Sequence, residues 1–293
     1  MTPRRVVLCA DDYGLAPGVG SAIRELMAAG RVSAVSCMSI SRFWPEEAAR
    51  LADVRGDVDV GLHLTLTDQA PLGAMPRTAP GGRLPPFGVM LRRSYAGRLD
   101  REELRAELAR QHDAFVEGRG REPDFLDGHH HVHQLPGVRE LVADLFRERL
   151  SGRDAYVRTC AEPVGAILRR RVSVGRHLAF AWPGRALRRV LARHRIPSNR
   201  GYSGAYDFSP RVAYAALFDR FVSEARDGML INCHPGFVDA ALTESDSLTA
   251  GREREREFLG GPEFLKTLAR RHVVLGRFHP GTPRSATAPP VDR

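Results

Sequence analysis

Two adjacent carboxylates, Asp11 and Asp12, close the apolar run "VVLCADD" near the start of the chain. Neighbouring acids repel, and neither is buried as an ion without compensation, so the pair asks for a cation nearby. His63 interrupts the apolar run "VGLHLTL", and "LDGHHHVH" sets His129, His130, His131 and His133 at the end of another. One carboxylate and two imidazoles from three strand ends form an open site for a divalent metal that keeps a position free for water. The second carboxylate then acts as a base for that water. Alternation along a strand sends successive side chains different ways, so one acid holds the ion and the other faces the water. His234 in "LINCHPGF" ends a further apolar run, and Pro235-Gly236 turns the chain sharply behind it. A histidine there protonates a leaving group or hydrogen-bonds a developing oxyanion. These parts suit hydrolysis of an amide, since a divalent ion lowers the pKa of its bound water and a histidine returns the proton to the amine.

Side chains from separate stretches converge only if the backbone brings strand ends together. Short apolar runs recur at 5–11, 32–40, 58–67, 124–130, 155–159, 229–234 and 272–276, with helix-like stretches at 17–29, 44–53, 100–118, 136–150, 210–226 and 252–271 between them. That alternation predicts βαβ units and a parallel sheet, whose C-terminal strand ends gather the site. Asp100 is placed to cap the helix over 100–118, with Leu104, Leu108 and Phe115 on its buried stripe. The stretch 68–99 holds five prolines and five glycines and is expected as a long irregular loop that shapes a pocket. The tail 280–293 is expected to be disordered, which leaves one domain over 1–279. No repeat and no Gly-rich phosphate loop interrupts this pattern.

With 43% hydrophobic and 27% charged residues, the 293-residue chain has the balance of a globular protein with a core. No apolar run approaches the ~20 residues of a membrane span, and the N-terminus reaches its first strand without a signal-like region, so the expected location is cytoplasmic. Cys9, Cys37, Cys160 and Cys233 form no CxxC pair and are expected as free thiols. The net charge of +9 comes almost wholly from arginine, since Lys266 is the only lysine. No basic motif interleaved with aromatics accompanies it, so nucleic acid is not expected as a partner.

The segments "ADDYGL", "GLHLTLT", "PDFLDGHHHVHQLP" and "INCHPGF", in this order, resemble the YdjC-like carbohydrate deacetylases, the family that includes chitooligosaccharide deacetylase and hopanoid-associated members. The resemblance runs from about Val6 to about Arg277. It implies a distorted (β/α) barrel that removes N-acetyl groups from amino sugars with one divalent metal ion, magnesium or zinc. It also implies Asp12, His63 and His129 as ligands, Asp11 as catalytic base and His234 in the active site. Tyr13 replaces a frequent phenylalanine, adding a hydroxyl at the rim, and Gly128 replaces a frequent serine before the histidines.

Two other readings stay open: a metal-dependent hydrolase of another bond such as a phosphoester, and a sugar-binding barrel without turnover. The stretch 163–206 matches the family least, contains no acid and carries ten arginines. It reads either as a solvated face or as interfacial helices that place Leu168, Leu178, Phe180, Trp182, Leu187, Val190 and Leu191 at a membrane while arginines meet anionic lipid. The second alternative implies a lipid-linked amino sugar at the inner membrane surface. Oligomeric state, a homodimer included, is left open by the sequence.

Overall fold

Residues 6–10 of the first apolar run are all buried, the pattern of a central parallel strand covered on both faces rather than of a half-exposed one. The computed structural model describes residues 2–52 and 57–278, so the tail 280–293 and residue 53, the end of one expected helix, lie outside the described residues. The first half of the chain runs β1 (Arg4–Tyr13), α1 (Pro17–Ala28), β2 (Ala34–Cys37), α2 (Trp44–Ala52), β3 (Asp59–Leu64), α3 (Phe87–Tyr95), α4 (Arg101–Arg119) and β4 (Phe125–Gly128). A short 3-10 turn, His129–Gln134, leads to α5 (Val138–Arg149), β5 (Tyr156–Val157), α6 (Val164–Arg170), α7 (Val174–Arg193) and β6 (Gly201–Ser203). The chain continues as α8 (Tyr214–Phe221), β7 (Met229–Cys233), α9 (Ala240–Ser245), α10 (Ala250–Gly260), α11 (Pro262–Arg270) and β8 (Val273–Leu275).

All the strands pair in parallel, in the order β5-β4-β3-β2-β1-β7-β6, and β8 pairs with residues 4–6 of β1. The two ends of this half-barrel are not joined by a ladder. A single parallel bridge from Val157 to Ser198 links them, and the Asn199 side chain completes the seam. Its Oδ1 accepts from Thr159 N at 2.7 Å, and its Nδ2 donates to the carbonyls of Thr159 and Gly201 at 2.9 and 2.7 Å. The molecule is thus a single-domain α/β half-barrel, with the parallel sheet expected from the strand and helix alternation and the distorted barrel implied by the family resemblance.

Local signals explain most element ends. Asp100 accepts from Glu103 N at 3.0 Å to start α4, and Gly120, with φ of 67°, ends it. Leu104, Leu108 and Phe115 are buried as their spacing predicts. The single helix expected over 252–271 is two, because Pro262 cannot donate into the preceding turn and begins α11 instead. The expected loop 68–99 contains α3, and the stretch 163–206 contains α6, α7 and the three-residue β6. All four cysteines are free and buried.

Candidate active site

The register between β1 and β2 shifts between Ala10 and Tyr13, and Asp12 has a φ of 67°. This bulge corrects the simple alternation expected of a strand end: it brings both acids to the wall of one cavity, where regular pleating would send them to opposite faces. The cavity, of about 280 Å³, opens at the C-terminal ends of the strands and is lined by all five expected residues, Asp11, Asp12, His63, His129 and His234.

Asp12 Oδ1 lies 2.8 Å from His129 Nδ1 and 3.3 Å from His63 Nε2. One ligand atom from each of these three residues lies within 4.8 Å of the other two. The far nitrogen of His63, Nδ1, is 2.6 Å from Asp127 Oδ1, which also accepts from Ser36 Oγ at 2.5 Å. Burial opposes a charge on His63, but Asp127 and the hydrogen bond to Asp12 outweigh it and push its pKa up to about 10. Burial likewise opposes the Asp127 anion, yet Arg158 and His63 bring its pKa down to about 2. For Asp12, burial is again overcome, here by His129 and Arg252, and its carboxyl sits well below the usual range.

Two arginines absent from the sequence reading supply much of the compensation that the paired acids require. Arg158 Nη1 and Nη2 donate to Asp11 Oδ1 and Oδ2 at 2.6 and 3.0 Å, and Nη1 also lies 3.0 Å from Asp127 Oδ2. Arg252 Nη2 donates to Asp12 Oδ2 at 2.6 Å and to Asp246 Oδ2 at 2.7 Å. Both guanidiniums are fully buried. A second acidic group, Cys9 with Asp11 and Asp127, is also close enough for a metal, but the Arg158 cation already occupies its two carboxylates. Burial, then Asp11, pushes the Cys9 thiol up, so it is no thiolate ligand.

His234 faces the acid pair from β7, its Nε2 3.8 Å from Asp11 Oδ2, with its ring edge on Phe208. Its backbone N donates to Glu255 Oε2 at 2.6 Å, which fixes the turn before Pro235. Of the histidine cluster, only His129 reaches Asp12. His130 pairs with Thr67 Oγ1 at 3.0 Å near the rim, and His133 donates from Nε2 to the Arg158 carbonyl at 3.0 Å, beneath the site. His131 donates to Tyr202 Oη at 3.0 Å, Tyr202 to Asn232 Oδ1 at 2.8 Å, and the Asn232 amide to Asp11 at 3.3 Å. His130 and His131 both have positive φ, the kink that splays these neighbouring rings.

Residues 5–270 match the family model described as YdjC-like protein. The chain belongs to the YdjC-like family. A chitooligosaccharide deacetylase from Serratia marcescens is 28% identical over 277 residues, covering 93% of this chain and 97% of the relative. One from Klebsiella pneumoniae (strain 342) is 29% identical over 244 residues, covering 83% and 85%. A crystal structure described as a putative cellobiose-phosphate cleavage protein from Enterococcus faecalis V583 superposes with a TM-score of 0.70 at 21% identity, covering 94% of this chain and 98% of that one. That likeness bears on the fold alone.

In this YdjC-like chain, the residues missed from sequence carried unequal signals. Arg158 interrupts the apolar "AYVRT" as His63 interrupts its strand, and Asp127 and Asn232 stand beside motif residues that were singled out. Arg252 lies in "GREREREF", where nothing separates a buried guanidinium from a solvated one. Tyr13 is not at the rim as expected: it is fully buried, donates to the Glu47 carbonyl at 2.8 Å and accepts from Arg24 at 2.9 Å. Gly128 leaves room for its neighbours, since a Cβ there would come within 3.0 Å of His133 Nδ1 and the Leu64 carbonyl. Among the described residues no helix is long and apolar enough to cross a membrane.

Proposed function

We propose that this protein hydrolyses the N-acetyl group of an amino sugar with one divalent metal ion, held by Asp12, His63 and His129. The observation that carries the reading is the convergence of three ligand atoms in a cavity that is also lined by a second carboxylate and a histidine. The donor set fits such an ion: one carboxylate, two imidazoles, and an Asp127 carboxylate behind His63 that fixes its ring and tautomer. Two nitrogens and one oxygen suit zinc, and the same set accepts magnesium with more water. When bound, the ion supplies a Lewis acid and lowers the pKa of a water molecule.

The chain's own residues do the rest. Asp11 takes the proton of the attacking water. Arg158 and Asn232 hold its carboxylate in place for that task. His234, with its Nε2 3.8 Å from Asp11 Oδ2, delivers a proton to the departing amine. Tyr206 and Phe208 offer apolar surface to the sugar ring, and the cavity volume suits one acetylated ring with the remainder of a chain leaving through the mouth. The deacetylase relatives and the family membership support a carbohydrate amide as the substrate.

The experiment is mass spectrometry of N-acetylglucosamine oligosaccharides after incubation with zinc- or magnesium-loaded protein. Loss of one acetyl group, abolished by chelation, is the expected result, and phosphate release from sugar phosphates without acetate release would overturn the reading. Asp11→Asn should retain metal by titration and lose activity by at least about 100-fold, in the range of a removed general base. His63→Ala and His129→Ala should lose both metal and activity. Equal metal loss in all three variants would sink the assignment of roles.

A further inference from the structure

The arginine-rich stretch 163–206 lends Arg176, Phe180, Tyr202 and Tyr206 to the cavity wall, and the structure divides its other cations into two sets. Arg170, Arg185 and Arg188 point inward, the first onto buried Glu162 and the others onto backbone carbonyls. Arg169 is tied to Glu224 at 2.7 Å. Leu187 and Leu191 belong to the core, and Phe180 faces the catalytic cavity. Those residues are thus withdrawn from the membrane-facing set read from sequence. What remains outside is sharper. On α7, Arg189 and Arg193 are exposed, and neither has a carboxylate within salt-bridge distance among the described residues. Helical spacing puts both on the same side as Trp182, at i+7 and i+11.

Trp182 is 72% exposed on the same side of α7 as these unanswered cations, and Leu168 on the adjoining α6 is 52% exposed, so two large apolar groups stand in water. The opposite face of α7 contributes Arg176 and Phe180 to the cavity wall, so the helix roofs the site and Trp182 lies on the outside of that roof. We propose that this outer face docks the protein on an anionic lipid surface, with Trp182 and Leu168 entering the headgroup boundary and Arg189 and Arg193 meeting lipid phosphates. Charge decides the occupant. A second copy of the chain would bring the same arginines face to face across a two-fold axis, with no acid in the segment to answer them. A lipid surface answers both the cations and the indole, which favours the boundary between water and hydrocarbon.

Fluorescence isolates the contact, because Trp44 is buried and Trp182 is the only other tryptophan. The full-length protein is mixed at low salt with vesicles of phosphatidylcholine alone or with phosphatidylglycerol added. Expected are co-sedimentation with the anionic vesicles only, reversal by salt, and a blue shift of emission that W182F abolishes. Each basic side chain near such a surface is worth roughly five-fold in partitioning, so R189Q/R193Q should bind about 25-fold more weakly, with unchanged melting and unchanged turnover of a soluble acetylated sugar. Equal binding to both vesicles, no blue shift, or full binding by the double variant overturns the proposal. So does a concentration-dependent blue shift without vesicles that tracks a dimer mass, which assigns the face to a second copy. Failure of acetate release with vesicle binding intact would overturn the deacetylase reading and leave this one standing.

Discussion

The loop over 68–86 and the connections over 158–163 and 194–202, on either side of α6 and α7, both lie against helices, and opposite charges hold them. Along α4, Glu103, Glu107 and Gln111 stand four residues apart on one buried face. Glu103 accepts from Arg77 N and Thr78 N at 2.9 and 2.8 Å, Glu107 from Leu72 N at 3.0 Å, and Gln111 from Thr65 N at 2.9 Å. On the other side, Arg170 donates to the Tyr202 carbonyl at 3.1 Å, Arg185 to that of Glu162 at 2.6 Å, and Arg188 to those of Ala161 and Asn199 at 3.1 and 3.0 Å. Two carboxylates and an amide oxygen answer loose N–H groups in one region, and guanidiniums answer loose carbonyls in the other. Both meet the same requirement, that buried backbone polar groups find partners. A charged side chain in sequence therefore reports backbone need as often as it reports a surface.

Breaking the arginine side should cost most. Arg170→Met leaves buried Glu162 with Arg226 as its remaining cation and the Tyr202 carbonyl short of a donor, and should destabilise the fold by about 3–5 kcal/mol in urea unfolding. Glu107→Ala should cost less, roughly 1–3 kcal/mol, because it frees one loop N–H and the Arg110 guanidinium. Its effect should stay local, as faster amide exchange near Leu72 with the barrel strands unchanged. A loss equal to that of Arg170→Met, spread over the barrel, would erase the distinction between the two regions.

The smallest effect is in pH. Burial alone would raise the Glu103 carboxyl, but the Arg77 and Thr78 N–H groups and the Arg77 charge hold it below the ordinary carboxylate range. Its folded value lies below its unfolded one. The stabilisation is therefore complete above about pH 4.3, the unfolded value, and is lost as pH falls through the folded one. The Arg185 and Arg188 bonds to carbonyls contain no group that titrates in acid. Hydrogen exchange between pH 3 and 6 should show, once intrinsic rates are removed, earlier release of the Thr78 amide than of Cys160 N, which Gln134 holds at 2.8 Å. Release of both together would remove the contrast.

The same logic decides what was legible in advance. Apolar runs at regular intervals announce β1 to β5 and β7 because most of each is buried, and β8 by its apolar residues although only Val273 of it is buried, whereas "GYS" of β6 offers too little apolar surface to stand out. Asp11, Asp12, His63, His129 and His234 are legible because polar residues at the ends of several apolar runs, each weak alone, together make one donor set, and the structure brings all five to one cavity. Asp12 and Asp11 even announce that a cation must be near. A metal ion is the cation that the motifs suggest, while Arg158 and Arg252 stand on the same carboxylates from 147 and 240 residues away. Nothing local marks such a partner. Only the fold brings it in.

The left-handed backbone at Asp12 also sets terms for how this strand can change over evolutionary time. At a φ of 67° glycine is free of strain, asparagine and aspartate bear it at little cost, and most other side chains pay roughly 1–2 kcal/mol. Glutamate, interchangeable with aspartate as a ligand in many settings, is disfavoured here by the main chain before its chemistry is tried, whereas histidine bears such a φ elsewhere in this chain, at His130 and His131. Of the five residues, Asp12 alone stands at a positive φ. Drift at this position is therefore funnelled to glycine, asparagine and histidine, of which only histidine keeps a ligand nitrogen, and a lineage that has left aspartate has a short road back.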